Sequence, residues 1–106
     1  MAYLDVYPNA SRKSADLIPY VLEVQSDFLH VLSTTVVVPL YRPEFMDAPP
    51  LLRLNPAVEV NGERLILVPQ ELASIPRRLL KTPTASLAAR HSEIVTALDA
   101  LLTNSL

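Results

Sequence analysis

The chain of 106 residues contains no cysteine, which excludes disulfide bonds, thiolate nucleophiles and cysteine-ligated zinc. It has one glycine, Gly62, so a glycine-rich loop that cradles phosphates cannot be built. Two histidines, His30 and His91, are too few for a histidine metal site. No apolar run reaches the roughly 18 residues of a membrane-spanning helix, and the first residues lack the basic and apolar regions of a signal peptide. We therefore expect a soluble, cytoplasmic protein with no metal and no cofactor.

The chain also has no large excess of positive or negative charge. Nine basic residues stand against eleven acidic ones, and Arg77 and Arg78 are the only adjacent arginines. A tight nucleic-acid binder needs a basic stripe to neutralise phosphates, so direct DNA binding is not expected. The 50% hydrophobic content is ample for one core, and we expect a single domain over residues 1–106. A domain this small leaves apolar surface at its rim, which favours a homodimer.

What the chain does contain is a series of short apolar runs that end at its ten prolines. Alternation with a period of two predicts β-strands, and we expect them over residues 2–7, 20–25, 34–40, 57–60, 63–68 and 77–80. Pro39 is expected to mark where its strand stops pairing. Residues 43–46 and 70–74 are expected to form short helical turns inside loops.

Two further patterns complete the expected fold. Asn61-Gly62 between two of these runs predicts a type I′ hairpin turn, because both central residues of that turn need positive φ. A 3.6-residue period then predicts a C-terminal helix, with Ser86 as its N-cap and Asn104 suited to a left-handed C-cap. Its apolar positions are Leu87, Ile94, Leu98, Leu101 and Leu102. Together the patterns predict a mainly β (α+β) fold, a strongly bent sheet closed by one helix.

Few side chains suggest catalysis. Ser26, Asp27 and His30 have the side chains of a nucleophile, an acid and a base and lie within five residues of each other. The members of a catalytic triad, however, usually come from distant segments of the chain. Glu93 and Asp99 are six residues apart on the expected helix and fall on roughly opposite faces, so they form no carboxylate pair. We therefore expect no catalytic residue.

A family resemblance sharpens these expectations. Val24-Gln25-Ser26-Asp27, followed by Phe28 and Leu29, resembles the signature of the CcdB family, the toxin halves of bacterial toxin–antitoxin pairs that poison DNA gyrase. Three more segments are similar to family segments in the same order, residues 36–40, 56–60 and 72–76. The resemblance implies an SH3-like small barrel of antiparallel strands with a C-terminal helix, and a protein that acts by binding without catalysis.

The resemblance also implies a symmetric dimer that lodges against the gyrase A subunit and traps the cleaved DNA complex. By position, the gyrase-binding residues would be Asp99, Leu102, Thr103, Asn104, Ser105 and Leu106, with Phe28 and Leu29 as lesser contacts. Leu102 and Phe28 could instead belong to the core or the dimer interface. The chain departs from the family pattern at its end, because it lacks the Trp-Gly-Ile whose indole can stack on an arginine of the target.

A second partner is implied, a cognate antitoxin whose disordered C-terminal segment folds along the toxin. Its contacts would be Glu23, Gln25, Asp27 and Glu93, and DNA would be reached only indirectly, through the antitoxin. Two alternatives stay open. One is a ribonuclease toxin of the MazF/PemK type on the same barrel, with Arg12, Lys13 and Arg42 in a basic groove, and the other is a diverged non-toxic relative.

Overall fold

A computed structural model of the chain describes residues 3–103 and contains, within that range, seven strands and one α-helix. The elements in chain order are β1 (Asp5–Pro8), β2 (Tyr20–Glu23), β3 (Thr34–Tyr41), β4 (Ala57–Val60), β5 (Glu63–Leu67), β6 (Ala73–Pro76), β7 (Ala85–Ser86) and α1 (His91–Leu102). Every strand pairing is antiparallel, in the order β4-β5-β3-β2-β1-β7, with β6 also paired to β3. The sheet nearly closes into a barrel, which confirms the predicted small barrel with a C-terminal helix.

β3 is the central strand of this sheet. Its run of β-branched residues is stiff at χ1 and suits a pleated, buried surface. One edge of β3 pairs with β2, while the other edge is shared by β6 along Thr34–Val37 and by β5 at Leu40 and Tyr41. The prediction that pairing stops at Pro39 is wrong, because the strand continues past it to Tyr41. Pro39 has no N–H to donate, and it lies between the two partners that share this edge.

The β4–β5 hairpin confirms the turn predicted from its sequence. Val60 pairs with Glu63, which leaves a two-residue loop. Asn61 has φ 51° and Gly62 has φ 84°, so both central residues adopt the positive φ that a type I′ turn requires.

The prediction of a strand over residues 77–80 is wrong. The strand here is β6, and Arg77–Leu79 forms a short 3₁₀ helix directly after it. Pro76, the last residue of β6, pairs with Thr34, the first residue of β3, so no partner remains for a longer strand. The helical turn expected near residues 43–46 is present as the 3₁₀ helix Pro43–Phe45. The one expected over residues 70–74 is shorter, a 3₁₀ helix at Pro69–Glu71, because Ala73 and Ser74 belong to β6.

The start of the C-terminal helix also differs from the prediction. α1 begins at His91, after a 3₁₀ helix at Ala88–Arg90, so Ser86 is not its N-cap. Ser86 belongs to β7 and pairs with Asp5, and its hydroxyl accepts a 3.2 Å hydrogen bond from the Ala88 amide. The predicted cap at Asn104 lies outside the described residues.

The core lies between the barrel and one face of α1. The helix buries Ile94 and Ala97 there, against apolar residues that include Leu4, Val6, Leu22, Val38, Leu40, Val58, Val60, Leu65, Leu67 and Leu87. The last turn is different, because Leu102 is 70% exposed. Within residues 3–103, no helix is long and apolar enough to cross a membrane.

Candidate functional site

Residues 28–32, called here the apolar segment, follow β2 and carry four exposed apolar side chains. The segment begins in the 3₁₀ helix Asp27–Leu29, where the Ser26 hydroxyl caps the turn by accepting a 3.2 Å bond from the Phe28 amide. The Asp27 carboxylate accepts a 2.8 Å bond from the Tyr3 amide, which ties the turn to the start of the chain. Phe28 is 94% exposed on this ordered turn. The other exposed apolar members are Leu29, Val31 and Leu32.

Beneath the segment lies a buried ion pair. Glu23, only 3% exposed at the end of β2, accepts a 2.8 Å bond from Arg77 and a 2.6 Å bond from the hydroxyl of buried Thr35. Arg77 also donates from Nε to the Leu32 carbonyl at 3.2 Å, and from its backbone N–H to the Ser33 carbonyl at 2.8 Å. One guanidinium therefore joins β2, the apolar segment and the residue after β6.

A cleft of about 450 Å³ opens above this pair, lined by Glu23, Ser26, Asp27, His30 and Arg77. Its side chains do not form a catalytic triad. His30 Nδ1 lies 3.0 Å from the backbone carbonyl of Asp27, while the Asp27 carboxylate is engaged by the Tyr3 amide. Over residues 3–103, no three His, Asp or Glu side chains are grouped so that they could hold a metal ion.

Tyr7, on β1, is buried close to the same ion pair. Burial raises the pKa of Tyr7 to about 12, the carboxylates of Glu23 and Asp5 contribute in the same direction, and Arg77 opposes them. Its hydroxyl is buried and has no hydrogen-bond partner among the residues that the structure describes. The phenol therefore keeps its proton to a higher pH than an exposed tyrosine does.

The helix end is the other part of the predicted gyrase-binding set. Asp99 is exposed, and its carbonyl accepts bonds from the Thr103 amide at 2.9 Å and from the Thr103 hydroxyl at 2.7 Å. Asn104, Ser105 and Leu106 lie outside the described residues. Phe28 shares a shallow pocket with Tyr3, and Tyr3 packs edge-to-face on His91 with 5.7 Å between ring centroids. The turn that carries Phe28 is thus anchored beside the first residue of α1.

The four predicted antitoxin contacts lie in different surroundings. Glu23 is buried in its ion pair, whereas Asp27 is exposed and Gln25 donates to the Thr34 carbonyl at 3.1 Å. Glu93 lies elsewhere, on a groove of about 490 Å³ between α1 and the loop that carries Leu52. Two bonds from Arg90, at 2.6 and 2.7 Å, hold the pKa of Glu93 below its usual value. The fold therefore groups Asp27 and Glu23 around one cleft and sets Glu93 at another.

Sequence patterns did not single out four residues of this region, Tyr3, Val31, Leu32 and Arg77. Val31 is 77% exposed, although it stands among apolar residues, interrupted only by His30, that a strand or a core could equally have used. No local pattern could identify the role of Arg77, since its partner Glu23 is 54 residues away. A run of apolar residues with neither helical nor strand period was the only signal for the segment.

The comparisons with known proteins agree with this architecture. The family model described as CcdB protein matches residues 3–104, which is nearly the whole chain. A comparison with the curated proteins finds no match. The match covers the barrel, the apolar segment and the helix, and the chain therefore belongs to the CcdB family, toxins of toxin–antitoxin pairs rather than catalytic enzymes.

Proposed function

We propose that this protein binds the gyrase A subunit and traps the cleaved DNA complex, with the apolar segment as part of its contact surface. The observation that carries the proposal is Phe28, held 94% exposed on a capped turn. Covering a phenylalanine side chain contributes roughly 1.5–3 kcal/mol, so an ordered and exposed one provides an anchor for a partner. Leu29, Val31 and Leu32 extend the apolar surface beside it, and contiguous apolar surface of this kind marks interaction sites.

The helix end is the second part of the proposed contact. Leu102 is 70% exposed and Asp99 lies on the same final turns, which supports a role for them in a C2 dimer interface, in gyrase binding, or in both. Thr103 and the following residues Asn104, Ser105 and Leu106 belong to this contact by position in the family pattern. Thr103 has no ring that could stack on an arginine, so the apolar segment carries a larger share of the contact than it would in a chain ending in Trp-Gly-Ile.

Neutralisation by an antitoxin is the third part of the proposal. A disordered antitoxin segment must gain enough contact to offset the entropy that it loses on ordering. Asp27, exposed at the cleft beside the apolar segment, and Gln25, two residues before it, are suited to hydrogen bonds with the antitoxin, and Glu93 would meet it on the helix face. An antitoxin lying there would cover Phe28 and block gyrase, and it would connect this cytoplasmic protein to DNA only indirectly.

The ribonuclease alternative has one observation in its favour. The cleft combines His30 and Arg77 with two carboxylates, groups that can serve phosphoryl chemistry. The Arg77 guanidinium is occupied by Glu23 and by the Leu32 carbonyl, so it is not presented to a substrate phosphate. Gyrase binding is therefore the better supported function.

The experiment is calorimetry with a purified gyrase A fragment, together with a DNA-cleavage assay on intact gyrase. Phe28→Ser should weaken binding at least about tenfold, as expected for an interface anchor. Phe45→Ser is the matched control, because Phe45 is also exposed on a 3₁₀ helix but lies outside the apolar segment. If the unaltered protein does not bind gyrase but cleaves RNA, the ribonuclease alternative is correct. If the unaltered protein neither binds gyrase nor cleaves RNA, it is a diverged non-toxic relative.

A further inference from the structure

The apolar segment is too short to hold its own conformation. Its local hydrogen bonds are few, from the amides of Leu29, His30 and Leu32 to carbonyls three residues earlier, and two of those carbonyls precede the segment. An isolated turn of 3₁₀ helix is not stable in water, and apolar side chains that face solvent add nothing to its stability. Something outside the segment must therefore hold it in place.

Both ends of the segment are tethered from elsewhere in the chain. At its start, the Asp27 carboxylate is bound to the Tyr3 amide. At its far end, Arg77 donates to the Leu32 carbonyl and to the Ser33 carbonyl while its guanidinium is bound to buried Glu23. Of the two tethers, only the one at the far end uses an ion pair removed from solvent. The Arg77 side chain is 17% exposed and the Glu23 side chain 4% exposed.

A buried ion pair is a poor device for stability alone, because the cost of removing two charges from water offsets most of their attraction. Apolar residues of similar volume would hold the barrel together as well or better. What they could not do is donate simultaneously to a carboxylate and to a loop carbonyl. The planar fork of an arginine does this from two nitrogens, Nε and Nη1, whose directions are fixed, whereas a lysine donates all its bonds from one nitrogen on a flexible stem and does not fix the two acceptors relative to each other.

We propose that Arg77 is a positioning residue, which fixes the apolar segment in the conformation that presents Phe28 and Val31 together to the protein's target. This inference rests on the proposed function and extends the contact surface to Val31. In this proposal, Glu23 orients the Arg77 side chain by accepting its hydrogen bond. Arg77 itself touches no partner.

The test compares Arg77→Lys, which keeps the positive charge, with Arg78→Ala, which removes the exposed neighbouring charge. Amide hydrogen exchange is measured at Leu29, His30 and Leu32. We expect Arg77→Lys to accelerate exchange there at least about tenfold, the scale of one charge-assisted hydrogen bond, while exchange within β3 and β5 stays unchanged. Arg78→Ala should match the parent protein. Unchanged exchange in the segment with Arg77→Lys, or equal acceleration across the barrel, would overturn the inference.

A second variant separates positioning from general stability. It combines Glu23→Leu, Thr35→Val and Arg77→Met, so that the buried polar network becomes an apolar one. The denaturation midpoint should hold or rise, yet exchange in the segment should accelerate and affinity for a gyrase A fragment should fall by about tenfold. Val31→Ser should weaken binding without changing exchange. An apolar network that preserved both slow exchange and affinity would show that Arg77 has no positioning role.

The two proposals can fail separately. If the parent protein does not bind the gyrase fragment, the proposed function is wrong, while the exchange measurements still decide whether Arg77 holds the segment. If the parent binds but Val31→Ser binds equally well, the surface does not extend to Val31, and that part of the inference is overturned.

Discussion

The Asn61 side-chain amide donates a 2.9 Å hydrogen bond to the Thr84 hydroxyl. Asn61 is at the tip of the β4–β5 hairpin, and Thr84 directly precedes β7, so the bond joins segments next to the two ends of the sheet order. The Thr84 amide meanwhile donates to the Val6 carbonyl at 2.8 Å. One threonine thus ties the hairpin to β1, which helps to explain why the sheet nearly closes.

Gly62 should be necessary for that arrangement. Gly62→Val would force a β-branched residue to φ 84°, and we expect it to lower the free energy of unfolding by about 1–3 kcal/mol. A Cβ at this position would meet no atom within 4 Å, so the cost is backbone strain alone. Urea denaturation measures it, with Gly62→Asn as the control, because asparagine tolerates positive φ and should cost less. Equal midpoints for Gly62→Val and the parent would contradict the role of the turn.

Tyr7 should make the protein sensitive to alkali. Its folded pKa of about 12 exceeds the ordinary value of 10.0, so its contribution to stability is complete below pH 10 and is lost as pH rises toward 12. Burial and the hydrogen bond to Glu71 likewise raise the pKa of Tyr41 to about 12, so Tyr41 should also lose its contribution to stability as the pH rises above 10. Denaturation midpoints measured from pH 8 to 12 should therefore fall above pH 10.

Tyr7→Phe tests the assignment. At neutral pH the variant should be as stable as the parent or more so, because it removes a buried hydroxyl that has no partner among residues 3–103. Above pH 10 its stability should decline less steeply, and with Tyr41→Phe added less steeply still. A variant that lost stability at neutral pH would show that the hydroxyl makes a favourable contact.

The protein should be a homodimer. Light scattering at micromolar concentration should give twice the chain mass of 11.7 kDa, because Leu102 otherwise leaves apolar surface in water. Leu102→Glu should shift the population toward monomer, since a carboxylate would have to be desolvated at the interface. Leu52→Glu is a control, because Leu52 is 91% exposed and lies outside the helix. A monomer in the unaltered protein would contradict the prediction.

Replacing Thr103-Asn104-Ser105 by Trp-Gly-Ile should strengthen binding to a gyrase A fragment. An indole stacked on an arginine contributes about 0.5–2 kcal/mol, so the affinity gain should approach tenfold. Calorimetry provides the measurement, and Thr103→Leu separates stacking from added apolar area. Tight binding by the unaltered chain with no gain from the replacement would place the contact on another surface.

Local features of the sequence were sufficient for much of the fold. The Asn61-Gly62 turn was predictable because its φ requirements act within two residues, and they select asparagine and glycine directly. The strand around Tyr20 and the helix that buries Ile94 followed from periods of two and 3.6, since each period sets which side chains share a face. The 94% exposure of Phe28 was not predictable in the same way, because the sequence left it open as a contact residue or as part of the core.

Tertiary structure decided what depends on distant partners. β6 ends at Pro76 because β3 begins at Thr34, and no pattern within residues 73–80 carries that information. The sequence patterns alone determined short strands, the Asn61-Gly62 hairpin and a C-terminal helix, through local φ preferences and hydrophobic periods. Only the folded barrel decided that Glu23 would be buried and that Arg77, 54 residues later, would hold the apolar segment, because a charge leaves water only where the fold supplies its partner.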